Sequence, residues 1–221
     1  MNGIQIQNLT KSFGDPAVTI LDKINLEISK GDFVSITGKS GSGKSTLLYS
    51  VSGLDKFQQG KVLFDGVDVT NLDPKELSQF RNTKIGFVFQ FHYLLPELTA
   101  LENILMPCRK FDTVEKYTPK AKQLLAQFGL SDCADKLPSQ MSGGQNQRVA
   151  IARSLIADPE YLFADEPTGN LDSHNGEIVM KIFEQTHKEL GTTILMVTHD
   201  EDFAKRAKRR VHLLDGRVVK N

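Results

Sequence analysis

The chain has 221 residues, 39% hydrophobic and 24% charged, a composition that supports a packed core and argues against wholesale disorder. Its 27 Lys and Arg balance 27 Asp and Glu, so the formal net charge is zero. That argues against affinity built by neutralising many phosphates along a nucleic acid, although a local basic patch would survive the cancellation. No window approaches the ~20 apolar residues of a bilayer span, and Met1-Asn2-Gly3-Ile4-Gln5 lacks the basic and apolar parts of a secretory signal. Cys108 and Cys133 form no CxxC and have no metal-like His spacing; they read as reduced thiols of an intracellular protein, with a structural disulfide the lesser alternative.

In chain order, Ile4, Ile6 and Leu9 alternate with polar residues, as do Ile20, Ile24, Leu26 and Ile28, which predicts strands over the first thirty residues. Phe33–Thr37 is a short β-branched run of the kind buried in a sheet, followed by a Gly/Ser loop and a helix over Ser45–Val51. Lys61–Val69 reads as a strand pair turning at Asp65-Gly66, and Ile85–Phe89 as another buried strand. From about 91 to 159 helix-period apolar residues dominate (Leu124, Leu125, Phe128), with Pro96, Pro107, Pro119 and Pro138 between them. Then Tyr161–Ala164 (strand), Asn175–Leu190 (helix), Thr193–Val197 (strand), a further helix and a hairpin at Asp215-Gly216 resume the β/α alternation. The expected fold is α/β: a mostly parallel sheet with an N-terminal antiparallel β-subdomain and an inserted α-helical subdomain. It is one domain over 1–221, with 1–90 and 160–221 forming the core lobe and about 91–159 the helical lobe.

Gly38-Lys39-Ser40-Gly41-Ser42-Gly43-Lys44-Ser45 fits the phosphate-binding pattern G-x-x-x-x-G-K-[ST] and lies directly between the predicted strand and helix. Glycines let the backbone wrap closely, so N–H groups of Gly38, Ser40, Gly41, Ser42, Gly43 and Thr46 are candidates to converge on anionic oxygens. Lys44 would reach the β/γ-phosphates and the Ser45 hydroxyl would ligate Mg²⁺, which makes ATP the expected ligand of a P-loop NTPase core. Asp165-Glu166 ends the Tyr161–Ala164 strand, where ligands bind in open α/β sheets. Asp165 is the candidate metal residue and Glu166 the candidate general base.

Met141-Ser142-Gly143-Gly144-Gln145 followed by Gln147-Arg148-Val149-Ala150-Ile151-Ala152-Arg153 resembles the signature of ABC transporter ATP-binding subunits, with Met in place of the first Leu. Ser-Gly-Gly opening a helix supplies a second set of free N–H groups for phosphate. The resemblance covers essentially the whole chain and implies a RecA-like core and the remaining roles. Phe13 matches the aromatic that stacks on adenine, its alternative being an ordinary core aromatic. Gln90 matches the Q-loop glutamine contacting Mg²⁺ and water, Asp172 after Gly169-Asn170-Leu171 the D-loop acid at the subunit contact, and His199 the switch histidine at the γ-phosphate. The family also implies an ATP-driven homodimer in which Ser142, Gly143, Gly144 and Gln145 face the phosphate loop of the partner. It further implies integral membrane permease subunits supplied separately, no nucleic-acid partner, and a place on the cytoplasmic face of the bacterial inner membrane. The wording Phe89-Gln90-Phe91-His92-Tyr93-Leu94-Leu95-Pro96-Glu97-Leu98-Thr99-Ala100-Leu101-Glu102-Asn103 is similar to the lipoprotein-releasing subfamily, within a group that includes macrolide exporters and cell-division ATPases. Tyr93, Leu94 and Leu95 are expected to line a groove for a permease helix. The basic run Lys205–Arg210 reads as a solvated helix end, with a membrane contact as the alternative.

Overall fold

The chain, described over residues 3–219 by a computed structural model, begins with β1 (Gly3–Phe13), β2 (Val18–Ser29), β3 (Phe33–Thr37) and α1 (Lys44–Val51). It continues through β4 (Gln59–Phe64), β5 (Val67–Asp68), α2 (Pro74–Lys84) and β6 (Ile85–Val88). Helices α3 (Ala100–Arg109), α4 (Val114–Gln127) and α5 (Gly143–Leu155) follow, with 3-10 turns at Ser131–Cys133 and Pro138–Gln140. The remainder is β7 (Tyr161–Asp165), α6 (Ser173–Leu190), β8 (Thr193–Val197), α7 (Glu201–Ala204), β9 (Arg209–Leu214) and β10 (Arg217–Val219).

Two sheets result. The antiparallel one has the order β2-β1-β4-β5 and the larger one the order β10-β9-β3-β8-β7-β6. In the larger sheet β9, β3, β8, β7 and β6 are mutually parallel and only β10 runs against its neighbour. Period-2 side chains divide the sheet between two cores. Tyr161, Phe163, Leu195 and Val197 join α1 and the antiparallel sheet on one face. Leu162, Ala164, Ile194 and Met196 join α3, α4, α5 and α6 on the other. A strand buried on both faces has no polar positions to spare, which explains the unbroken apolar runs in the sequence.

Both hairpin turns take the expected form: Asp65 and Gly66 have φ of 50° and 84°, Asp215 and Gly216 of 45° and 73°. Positive φ at both central residues is the conformation whose twist matches the flanking strands. The simple alternation from Ile20 is corrected. Leu21 is fully buried and Ile20 only partly, because Lys23 adopts φ 50° and the β1–β2 register slips there, shifting the inward face by one residue. The basic run is also corrected. Helix α7 stops at Ala204, Arg209 and Arg210 open β9, and Arg206 forks onto Glu184 at 2.6 and 2.8 Å while also reaching Glu177. Arg206, and Arg210 bonded to Glu201 at 3.0 Å, are thus tied to acids of their own chain, while Lys205, Lys208 and Arg209 stay exposed. Cys108 and Cys133 are free thiols buried in the helical core. Among the described residues no helix is long and apolar enough to cross a membrane.

Candidate functional site

Parallel register decides where the chemistry sits. Ile36, Val197 and Asp165 lie level across β3, β8 and β7, and Val88 of β6 pairs Ala164. The loops leaving these four strands therefore emerge from one edge of the sheet, carrying Gly38–Ser45, His199, Glu166 and Gln90. A carboxyl-terminal sheet edge is where α/β folds hold ligands.

The loop after β3 is shaped by its glycines, and Gly38 most of all. Its φ is 147°, and a Cβ there would lie 2.2 Å from the carbonyl oxygen of Leu213. Gly43, the N-cap of α1, offers no side chain to cap the helix, and the first residues of α1 border a cleft of about 460 Å³. Phe13, Ser40, Gly41, Gly43, Lys44, Ser45, Thr46 and Glu166 line that cleft, whereas Gly38 and the buried Ser42 shape the loop from behind. Lys44 Nζ folds back onto the carbonyls of Gly38 and Lys39 at 2.9 and 3.0 Å, holding a cation at the cleft floor. Phe13 is 46% exposed, with Lys11 Nζ 4.4 Å from its ring centroid, so its core-aromatic alternative does not hold.

Asp165 is 7% exposed and accepts two hydroxyls, Ser45 Oγ at 2.8 Å and Tyr49 OH at 2.6 Å. Burial, then the bond to Asp165, pushes the Tyr49 phenol well above its ordinary pKa, so it stays a donor. Tyr49 is the residue that sequence reading missed; its spacing of four from Ser45 on α1, which stacks both on one helix face, was the available signal. Glu166 sits in the left-handed region at φ 47°, and its N–H donates to Val197 O at 3.0 Å. Its Oε2 accepts from His199 Nδ1 at 2.8 Å and from the His199 backbone N–H at 3.2 Å. Histidine and acid therefore form one unit, and Asp200 rather than His199 caps α7.

Gln90 pairs reciprocally with Asn170, each amide reaching the other residue at 3.3 Å, and does not line the cleft. Gln147 of α5 ties this corner together by donating to Phe89 O and Pro167 O. The signature residues lie apart from their own cleft. Ser142 caps α5, its Oγ accepting from Gln145 N at 3.3 Å while Gln145 Oε1 accepts from Ser142 N at 2.8 Å. Ser142, Gly143 and Asp172 are exposed.

Beyond Gln90 the chain alternates. Phe91, Tyr93 and Leu95 are exposed, while His92 and Leu94 turn inward, Leu94 packing on the helical core. Leu94 thus does not belong to the expected open groove. Arg153 of α5 donates to the carbonyls of Tyr93 and His92 at 2.6 and 2.8 Å. Asn103, fully buried, donates to the carbonyls of Leu95, Leu98 and Thr99 and accepts from Leu95 N.

The profile described as ABC transporter matches residues 21–169, which include the phosphate loop, the signature and Asp165-Glu166. The chain belongs to the ABC transporter family. As a member, its similarity runs the full length. It is 52% identical over 218 residues to the lipoprotein-releasing system ATP-binding protein LolD of Leptospira interrogans, spanning 99% of this chain and 91% of that protein. It is 46% identical to the macrolide export ATP-binding/permease protein MacB of Syntrophobacter fumaroxidans, spanning 98% of this chain but 31% of that longer protein. Among solved structures it superposes on the ATP-binding cassette MJ0796, in a dimeric post-hydrolysis state bound to ADP and Pi, with TM-score 0.91 and 41% identity over 98% of this chain and 97% of that one. The cassette fold anticipated from the motifs is therefore the fold of this ABC protein.

Proposed function

We propose that this chain is the ATP-hydrolysing subunit of a lipoprotein-releasing ABC transporter. It works as an ATP-driven homodimer on integral membrane permease subunits of the LolC/LolE kind, at the cytoplasmic face of a bacterial inner membrane. The observation that carries the ATPase reading is the gathering of Lys44, Ser45 and Glu166 at one sheet edge around a cleft at an uncapped helix start, with the buried Asp165 bonded to Ser45 behind it. Full-length similarity to LolD supports the cargo class.

In this reading Phe13 stacks on adenine, the loop N–H groups and Lys44 hold the phosphates, and the Ser45 hydroxyl and Asp165 carboxylate, 2.8 Å apart, hold Mg²⁺. Both donors are hard oxygens, the ligand type Mg²⁺ takes, and the buried carboxylate supplies charge. The ion, when bound, offsets phosphate charge as bond order changes. Glu166 takes the proton from the attacking water; His199 steers it by occupying Oε2, which leaves Oε1 for the transfer. Gln90, on leaving Asn170, would contact the metal and the attacking water, and His199 would touch the γ-phosphate; Ser142, Gly143, Gly144 and Gln145 cap the phosphates of the partner subunit, with Asp172 at the subunit contact. The segment 91–159 acts as the helical lobe, and the exposed Phe91, Tyr93 and Leu95 take a permease helix, as aromatics enriched in interface cores do.

The test is depletion of the protein in a bacterium that encodes it, followed by fractionation of the two membranes. Lipoproteins stranded in the inner membrane are the expected result. Normal lipoprotein sorting with a defect in drug efflux or septation moves the assignment to a MacB-like or FtsE-like role.

A further inference from the structure

Two elements that a dimer of this protein would present to its partner, the signature helix α5 and the loop ending at Asp172, are joined within one chain by a single side chain. Asn175 stands at the third position of α6. There a glutamate or glutamine would reach back to the cap residue's N–H, as Gln145 does in α5 and Glu102 in α3. Asn175 does something else. Its Nδ2 donates to Asp172 Oδ2 at 2.7 Å and its backbone N–H to Asp172 Oδ1 at 2.8 Å, while its Oδ1 accepts from Arg148 NH1 of α5 at 2.9 Å. The two ends of the amide are thus committed to partners of opposite charge, a donor to the acid and an acceptor to the guanidinium. Neither a carboxylate nor an apolar side chain satisfies both.

The signature itself makes room for this contact. A Cβ on Gly144 would lie 2.2 Å from Asn175 Oδ1 and 2.4 Å from its Cγ, so any larger residue there would push the Asn175 amide out of the position in which it meets both partners. Arg148 is 9% exposed, which fixes the far end of the link in packed surroundings.

We infer that Asn175 is a positioning residue that locks the Asp172 loop to the signature helix, so that both dimer-facing elements move as one piece. This rests on the ATP-driven dimer proposed above. Locking the two elements before association removes part of the ordering cost of the interface. The consequence is specific: loosening the lock weakens dimer formation without weakening nucleotide binding to the single subunit.

The test uses the full chain carrying Glu166→Gln, so that ATP persists, and compares it with the same chain also carrying Asn175→Asp. The second carboxylate still accepts from Arg148 but can no longer donate to Asp172 and faces it with like charge. Dimer formation is followed by light scattering across an ATP titration, ADP binding by calorimetry, and folding by the thermal midpoint. The expected result is a roughly tenfold or greater rise in the ATP needed for half-maximal dimer, with ADP affinity and thermal midpoint unchanged. Arg148→Met together with Asn175→Leu should cost no more than Asn175→Leu alone, because one link is cut in either case. An unaltered ATP titration for Asn175→Asp, fully additive losses in the pair, or parallel falls in ADP affinity and midpoint would overturn the inference. A Glu166→Gln parent that stays monomeric in ATP overturns the dimer reading itself, and the lock with it.

Discussion

Replacing Glu166 by Gln isolates proton transfer from everything else the site does. The local geometry holds the residue independently of its charge: the backbone is pinned in the left-handed region at φ 47°, and its N–H bonds Val197 O at 3.0 Å. The side-chain oxygen of Gln can still accept from His199 Nδ1 and from the His199 backbone N–H, which now reach Glu166 Oε2 at 2.8 and 3.2 Å. What disappears is the basic oxygen. A positioned general base is worth roughly 10²–10⁴ in rate, or about 2.7–5.4 kcal/mol of barrier at 1.36 kcal/mol per tenfold. Binding should change little, because in the proposed site the loop N–H groups and Lys44, not Glu166, hold the phosphates. Purified wild-type and variant proteins would be compared by phosphate release at saturating ATP and by equilibrium nucleotide binding. Turnover in the variant within tenfold of wild type, with binding intact, would refute the assignment of the base and shift attention to the His199 side.

Lys44→Ala should weaken ATP binding more than adenosine binding, since it removes a cation aimed at phosphate; calorimetry with both ligands checks this. Ser142→Arg should leave single-subunit ATP binding intact and abolish the ATP-driven dimer, seen by light scattering, because the exposed cap residue faces the partner in the proposed assembly. Leu95→Glu should spare ATP binding by the isolated chain and prevent co-purification with the permease, as a charge is placed in an exposed apolar row. Asn103→Ala should destabilise the fold by roughly 2–4 kcal/mol. It strips bonds from Leu95, Leu98 and Thr99 in a fully buried knot, and should lower the urea midpoint at constant slope.

The sequence by itself determined what is written in contiguous residues. Strand, glycine loop, lysine and helix between Phe33 and Val51 form one local unit, so their pattern fixed both conformation and ligand class. The Asp-Gly turns announced their hairpins for the same reason, since positive φ is a property of the two residues themselves. Helix α2 is hard to read because its apolar face is only Leu77 and Phe80, both half-buried; its clearer signals are the Asp73 cap, Pro74 at the first position and Glu76 closing a capping box. Only the tertiary structure decided which side chains meet. Tyr49 on Asp165, Gln90 on Asn170, Arg153 on the carbonyls of His92 and Tyr93, and Asn175 between Asp172 and Arg148 join distant or facing elements. Periodicity tells a residue which face of its own element it occupies. The partner across that face is set by strand order and register, which bring four loops to one sheet edge and leave the signature outside the cleft they form, available to a second subunit in the proposed assembly.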